Sequence, residues 1–255
     1  VEFQESVWDI KQLIRTLVNS HTYRQSSRLS AALLEADPTN RLLARGARYR
    51  MPAWMIRDQA LSASGLLVDK KGGAPVNSYQ PEGIWAEATF GKKRYSRGNG
   101  DDLYRRSIYS FWRRIAAPPM FFDNPGRETC SVKMGLTNTP LHALSTLNDT
   151  TYVEAARALA GRAAALAGEN SKPPAQIERA FQLVVARKPS KQEQEILENI
   201  YTRAEVRFTS DPGAAANFLR NGESSRNSEL PEPEHAALAT VCLGILNLDE
   251  ALTKE

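Results

Sequence analysis

WMIRDQALSASGLL, residues 54–67, is the stretch on which the reading of the fold turns. At about 100° per residue, Ile56, Ala60, Ala63 and Leu67 fall on one stripe, and Trp54, Leu61, Gly65 and Val68 fall on the opposite one. A helix apolar on two faces is enclosed by protein, so this stretch predicts a helical core. Pro52 suits its first turn, where a missing N–H has no partner to lose. Arg57, Asp58 and Gln59 interrupt the apolar pattern. Arg57 and Asp58 are neighbours whose side chains point about 100° apart, so each is expected to take its partner from elsewhere in the fold. A buried charge left unpaired costs several kcal/mol.

Candidate partners follow within the next stretch of chain: Glu82, Glu87, Asp101, Asp102, Arg105, Arg106, Arg113 and Arg114. YRRSIYSFWRR, residues 104–114, sets four arginines around an aromatic segment, suited to bidentate pairing with carboxylates. Two readings stand side by side. In the first, a buried ion network fixes helix against strand. In the second, Asp58 and Glu82 form a catalytic carboxylate pair, with Arg57, Gln59, Arg105 and Arg106 holding an oxygen-rich ligand.

Outward from this centre, Val7, Ile10, Leu13, Ile14, Leu17 and Val18 predict an amphipathic helix ending near Ser20. The amino-terminal VEFQESVWDIKQLI begins without a capping residue, so the chain reads as incomplete at the amino terminus. Ser30 caps a short helix that Pro38 closes. Paired glycines and prolines make residues 70–85 loop-like, and GKKRYSRGNGDD (91–102) reads as an exposed turn. SIYSFW (107–112) is the best strand candidate. From Thr137 onward the pattern is helical. Thr139–Pro140 opens one helix, TTYVEAARALAGRAAALA (150–167) forms a longer one, and Ser190 with Glu193 makes a capping box. The last helix, from about Glu234 to Leu248, is apolar on most sides. GENSKPP (168–174) is the one linker. The expected fold is mainly α: a helical core, a small β-hairpin or short-strand element in residues 73–115, and a C-terminal helical bundle. The expected domains are a helix-rich 1–167 and a helical subdomain, 175–255, packed on it.

With 42% apolar and 24% charged residues among 255, the chain can build a sizeable core. Its longest apolar run, 236–246, is too short to cross a bilayer. Cys130 and Cys242 are too few for a disulfide framework and lack zinc or haem spacing; two buried thiols or a single bridge remain open. Residues 1–127 carry 20 basic against 12 acidic groups, and the remainder 13 against 17, so a basic first half could face an acidic partner. His142 lies one turn from Asn138, which suggests either a base oriented by an amide or a histidine completing its helix's hydrogen bonds. His21 and His235 fall in polar stretches read as exposed, and no metal site is expected. KKRYSRG mixes basic and aromatic residues as a single-strand nucleic-acid surface would, yet its glycines and the nearby Asp101–Asp102 favour a solvated loop.

Several segments occur in an order that resembles a known family: WDIKQLIRTLVNSHTYRQSS, NRLLARGARYRMPAWMIRDQALSASGLL, SYQPEGIW, DLYRRSIYSFWRR, TNTPLHALSTLND and a terminal LNLDEALTKE. Together they look like the planctomycete cytochrome-associated C-terminal domain of unknown function. The matching positions include Arg57, Asp58, Gln59, Glu82, Arg105, Arg106, Asn138, Thr139 and Asn148. The resemblance implies an exported or periplasmic multidomain parent, with upstream domains as partners and any haem held there rather than in this chain. Three functions follow: an interaction or scaffolding module, a carbohydrate-binding or carbohydrate-active domain using Asp58 and Glu82, and binding of a polyanion, with nucleic acid the least favoured.

Overall fold

A computed structural model describes residues 1–113, 116, 118–123, 130, 132, 135–168 and 170–254. Arg114, among the arginines expected to pair, lies outside the described residues. The chain forms two compact units, Val1–Arg50 with Thr253–Glu255, and Met51–Leu252.

The first unit contains α1 (Glu2–Glu5), α2 (Ile10–Asn19), α3 (Ala31–Ala36), β1 (Tyr49–Arg50) and β2 (Thr253–Lys254). Asp9 starts α2 by accepting from the N–H groups of Lys11 and Gln12, and Ser30 starts α3 through Leu33. The two strands pair antiparallel, Tyr49 opposite Lys254, and the Lys254 ammonium lies 4.5 Å from the Tyr23 ring centre. None of the residues of α1, α2 or α3 is buried. Along α2, Ile10, Leu13, Ile14, Leu17 and Val18 form an exposed apolar stripe.

The second unit is helical: α4 (Ala53–Ser64), α5 (Ile84–Ala88), α6 (Pro140–Asn148), α7 (Thr150–Ala167), α8 (Pro173–Val185), α9 (Lys191–Ser210), α10 (Pro212–Leu219), α11 (Glu232–Leu246) and α12 (Asp249–Leu252). Its centre is α7 against α11, with α4, α8 and α9 around them. Small side chains make this possible. Ala155, Ala156, Ala160 and Ala163 on α7 and Ala236, Ala237 and Ala239 on α11 are fully enclosed and let the backbones approach closely. The GENSKPP segment joins α7 to α8, which pack on each other within this unit. The capping box forms as expected, with Ser190 and Glu193 exchanging side-chain bonds. Arg187 then ties Glu193, at 2.7 Å, to Glu250, at 2.5 Å. No helix among the described residues is long and apolar enough to cross a membrane.

The described residues are mainly α with one small antiparallel pair of strands. Three local expectations are corrected. The helix of residues 54–67 stops at Ser64, because Gly65 turns left-handed at φ 81° and Leu66 N–H closes back on Leu61. Trp54 on that helix is 44% exposed, so the second apolar stripe is not wholly enclosed. SIYSFW forms no strand: Ser107–Tyr109 is a 3-10 turn, and pairing within 73–115 reduces to isolated bridges such as Val76 with Ser110. The Ser107 N–H, which a ladder would use, is donated to Asp58 on α4. The single ladder of the described residues joins residues 49–50 to 253–254 instead.

Candidate functional site

Residues 66–110 contain little regular structure, so many of their carbonyls have no ladder or helix to bond them. Arginine side chains fill that role. Arg57, fully buried on α4, donates through Nη2 to the Leu103 carbonyl (2.8 Å) and through Nη1 to the Arg105 carbonyl (2.9 Å) and Ser107 Oγ (3.2 Å). Asp58 accepts from Ser107 N (2.8 Å) and Ser107 Oγ (2.7 Å). Each residue thus takes its main partners from elsewhere, as expected. Both converge on Ser107, however, and this draws them into mutual contact at 3.5 Å. Burial pushes the Arg57 pKa down, and Asp58 is the largest influence opposing it.

Arg105 behaves alike. It is 3% exposed, donates to the carbonyls of Lys70, Gly72 and Ala74, and stacks 3.9 Å from the Tyr109 ring centre. The expected carboxylate partners are therefore replaced by backbone oxygens. The five N–H donors of a guanidinium suit scattered carbonyls as well as they suit a carboxylate.

A second buried cluster sits on α7. Glu154, 1% exposed, accepts from the Tyr104 hydroxyl (2.8 Å) and Ser224 N (2.6 Å), with Arg157 Nη2 at 3.5 Å. Burial, reinforced by Glu154, raises the Tyr104 pKa to about 12. Gly222, at φ 86°, lies so close to Glu154 that any Cβ there would overlap the carboxyl group. The sequence reading passed over this cluster. Its available signal was a Glu–Arg pair three apart in an alanine-rich helix, the spacing that places two side chains together.

Nearby opens a cleft of ≈ 990 Å³, lined among others by Tyr79, Glu82, Trp85, Arg94, Tyr95 and Arg220. Trp85 stacks on Tyr95, centroids 5.4 Å apart, and donates its indole N–H to Gln80 Oε1 at 2.5 Å. That bond settles the orientation of the Gln80 amide, whose Nε2 is buried at the cleft without a protein acceptor. Arg97 lies 5.3 Å over the Tyr79 ring and pairs with Glu223 at 3.0 Å. Guanidinium groups, an amide donor and aromatic rings suit recognition of an oxygen-rich ligand.

The structure scatters the other residues singled out in the sequence. Glu82 is exposed on the cleft, which Asp58 does not line, so the two carboxylates are not brought together there. Gln59 reaches the Val184 carbonyl at 3.4 Å, while Arg106 and Asn138 are exposed. His142 is buried and stacked on Phe122 at 4.1 Å. Its Nε2 lies 3.4 Å from Thr137 Oγ1 and 3.6 Å from Asp123 Oδ1, so an acid and a hydroxyl stand where the Asn138 amide was expected. Trp85 is buried, and so is His235, read as exposed, which α11 carries inward. Cys130 is exposed and Cys242 buried, both free, which corrects the expectation of two buried thiols. Among the described residues no three His, Cys, Asp or Glu side chains are grouped to hold a metal.

The PSD1 family, described as "Protein of unknown function (DUF1553)", matches residues 1–201, and the chain belongs to that family. No curated protein and no solved structure matches it.

Proposed function

We propose that this member of the PSD1 family is a non-catalytic interaction module that docks onto an upstream segment of a larger parent protein. The observation that carries the reading is the α2 stripe: Ile10, Leu13, Ile14, Leu17 and Val18 expose a continuous apolar face. Apolar side chains left in water on one face of a helix favour a partner that covers them. The charged groups of the second unit add support, since Arg57, Asp58, Arg105 and Glu154 all bond backbone groups and serve the packing. An exported or periplasmic parent with a haem-bearing cytochrome segment, as the sequence resemblance implies, is the setting this reading adopts. Any haem would then belong outside this chain.

The test is hydrogen exchange of residues 10–19 in this chain alone and in the full-length parent. Exchange at least about tenfold slower in the parent is expected. Equal exchange in the two would remove the reading.

A second reading, binding of a carbohydrate or of a polyanion, is favoured by the cleft, where Arg94 and Arg220 line the rim with Glu82, while Arg97 is held by Glu223. Titration with an oligogalacturonate should show saturable binding that Arg94→Ser with Arg220→Ser abolishes. Affinity indifferent to that double change would dismiss the cleft as the site.

A further inference from the structure

α5 ends at Ala88, and the chain reverses at once into a turn held by its own backbone. The Gly91 N–H returns to the Ala86 carbonyl, and the Lys92 N–H to that of Thr89. The Lys93 N–H goes to the Thr89 hydroxyl, which itself donates to the Trp85 carbonyl. At the tip, Phe90 and Gly91 both take positive φ, 52° and 76°. Glycine adopts that conformation freely and phenylalanine only under strain. The Phe90 side chain, 94% exposed, is the most exposed aromatic among the described residues. Open space surrounds the turn, since a Cβ added at Gly91 would meet no atom within 4 Å. Strain and exposure at Phe90 both oppose folding, and packing inside the chain offsets neither.

The charge of the turn is one-sided. Lys92, Lys93 and Arg94 follow the tip directly and are all exposed, and no carboxylate occurs from Ala88 to Gly100. Glu87, exposed on the last turn of α5, is the nearest acid in sequence and leaves the turn net positive. Among the described residues none of the three cations forms a salt bridge, whereas Arg97, further on, is paired with Glu223. A basic turn with an aromatic tip suits a single strand of nucleic acid or an anionic lipid surface. A nucleic-acid strand stacks successive bases on several free rings. Tyr95, the other aromatic of this segment, is not free: it stacks on Trp85 and donates its hydroxyl to the Ser78 carbonyl. One ring remains, protruding among cations. A bilayer fits that pattern, because the ring can enter below the headgroups while the ammonium groups stay among them.

We propose that the 89–94 turn is a peripheral anchor for anionic lipid bilayers. Phe90 inserts at the boundary between headgroups and acyl chains, and Lys92 and Lys93 lie against the lipid phosphates. The fixed backbone presents the ring already oriented, so little is lost in ordering it on contact. One ring and a few charges give reversible attachment, far short of a membrane span. Arg94 also lines the cleft, so the two lysines rather than Arg94 carry the test.

The test is sedimentation of the full chain with vesicles, comparing phosphatidylcholine alone with an equimolar mixture of phosphatidylcholine and phosphatidylglycerol. Binding to the anionic vesicles is expected to be at least about tenfold stronger than to the neutral ones, and to weaken as salt is raised. Phe90→Ala should weaken it by about tenfold or more, while Phe90→Trp should keep it. Lys92→Ser with Lys93→Ser should weaken it by at least about tenfold. Leu141→Ala, at an exposed apolar position on α6, and Leu13→Ser with Leu17→Ser on α2 should bind like the parent. The α2 pair separates this turn from the docking face proposed above, so either idea can fail alone. Absence of binding to anionic vesicles, equal binding to both kinds, Phe90→Ala that binds like the parent, or loss through the α2 pair instead would overturn the proposal. So would saturable binding of an oligothymidylate that Phe90→Ala abolishes, without vesicle binding, which would assign the turn to single-stranded nucleic acid.

Discussion

Arg57→Met should lower the unfolding free energy by about 3–5 kcal/mol in urea titration, a large part of the roughly 5–15 kcal/mol that holds a domain folded. Replacing both members of a buried ion pair by apolar groups is often harmless. Here most of the partners cannot be replaced, because they are the backbone carbonyls of Leu103 and Arg105. Methionine would leave both as buried acceptors without donors, together with a Ser107–Asp58 pair that has lost its cation. Arg57→Lys is expected to recover little, since one ammonium cannot fork between two carbonyls and a hydroxyl. Asp58→Asn keeps an oxygen for Ser107 and loses only its charge, so about 1–2 kcal/mol is expected. If Arg57→Met unfolds within about 1 kcal/mol of the parent, the carbonyl bonds are not what secures α4 against the 103–107 segment.

The second large effect is expected at Gly222→Ala. Two costs combine there. An alanine at φ 86° is strained by about 1 kcal/mol, and its Cβ would overlap the Glu154 carboxyl group. Glu154 has little room to move, because Tyr104, Ser224 and Arg157 surround it. A loss of about 3 kcal/mol or more is expected in thermal melting. Gly83→Ala supplies the control, since Gly83 has nearly the same φ, 85°, and no atom within reach of an added Cβ. It should cost only the backbone strain, about 1 kcal/mol. Equal losses at the two glycines would show that the contact with Glu154 carries no weight.

Much of this architecture is written in short-range pattern. The helix over 150–167, the Ser30 cap, the Ser190–Glu193 box and the buried face of the last helix are all legible because their causes act within about four residues. The need of Arg57 and Asp58 for outside partners is legible too, from the angle between neighbours on a helix. Which partners they take is not. Arg57 reaches 46 to 50 residues ahead to carbonyls left open by an irregular segment, and open carbonyls have no residue signature. The same distance hides the turn at Ser107, whose N–H goes to Asp58 rather than to a neighbouring strand. It also hides Glu154, whose enclosure depends on Tyr104 and on Ser224, seventy positions further on. By itself the sequence determined that the chain is mainly helical, which residues cap several of its helices, and that polar groups lie inside it. Tertiary structure alone decided which groups meet, because a guanidinium or a carboxylate accepts any partner of the right charge or polarity and only packing chooses among them.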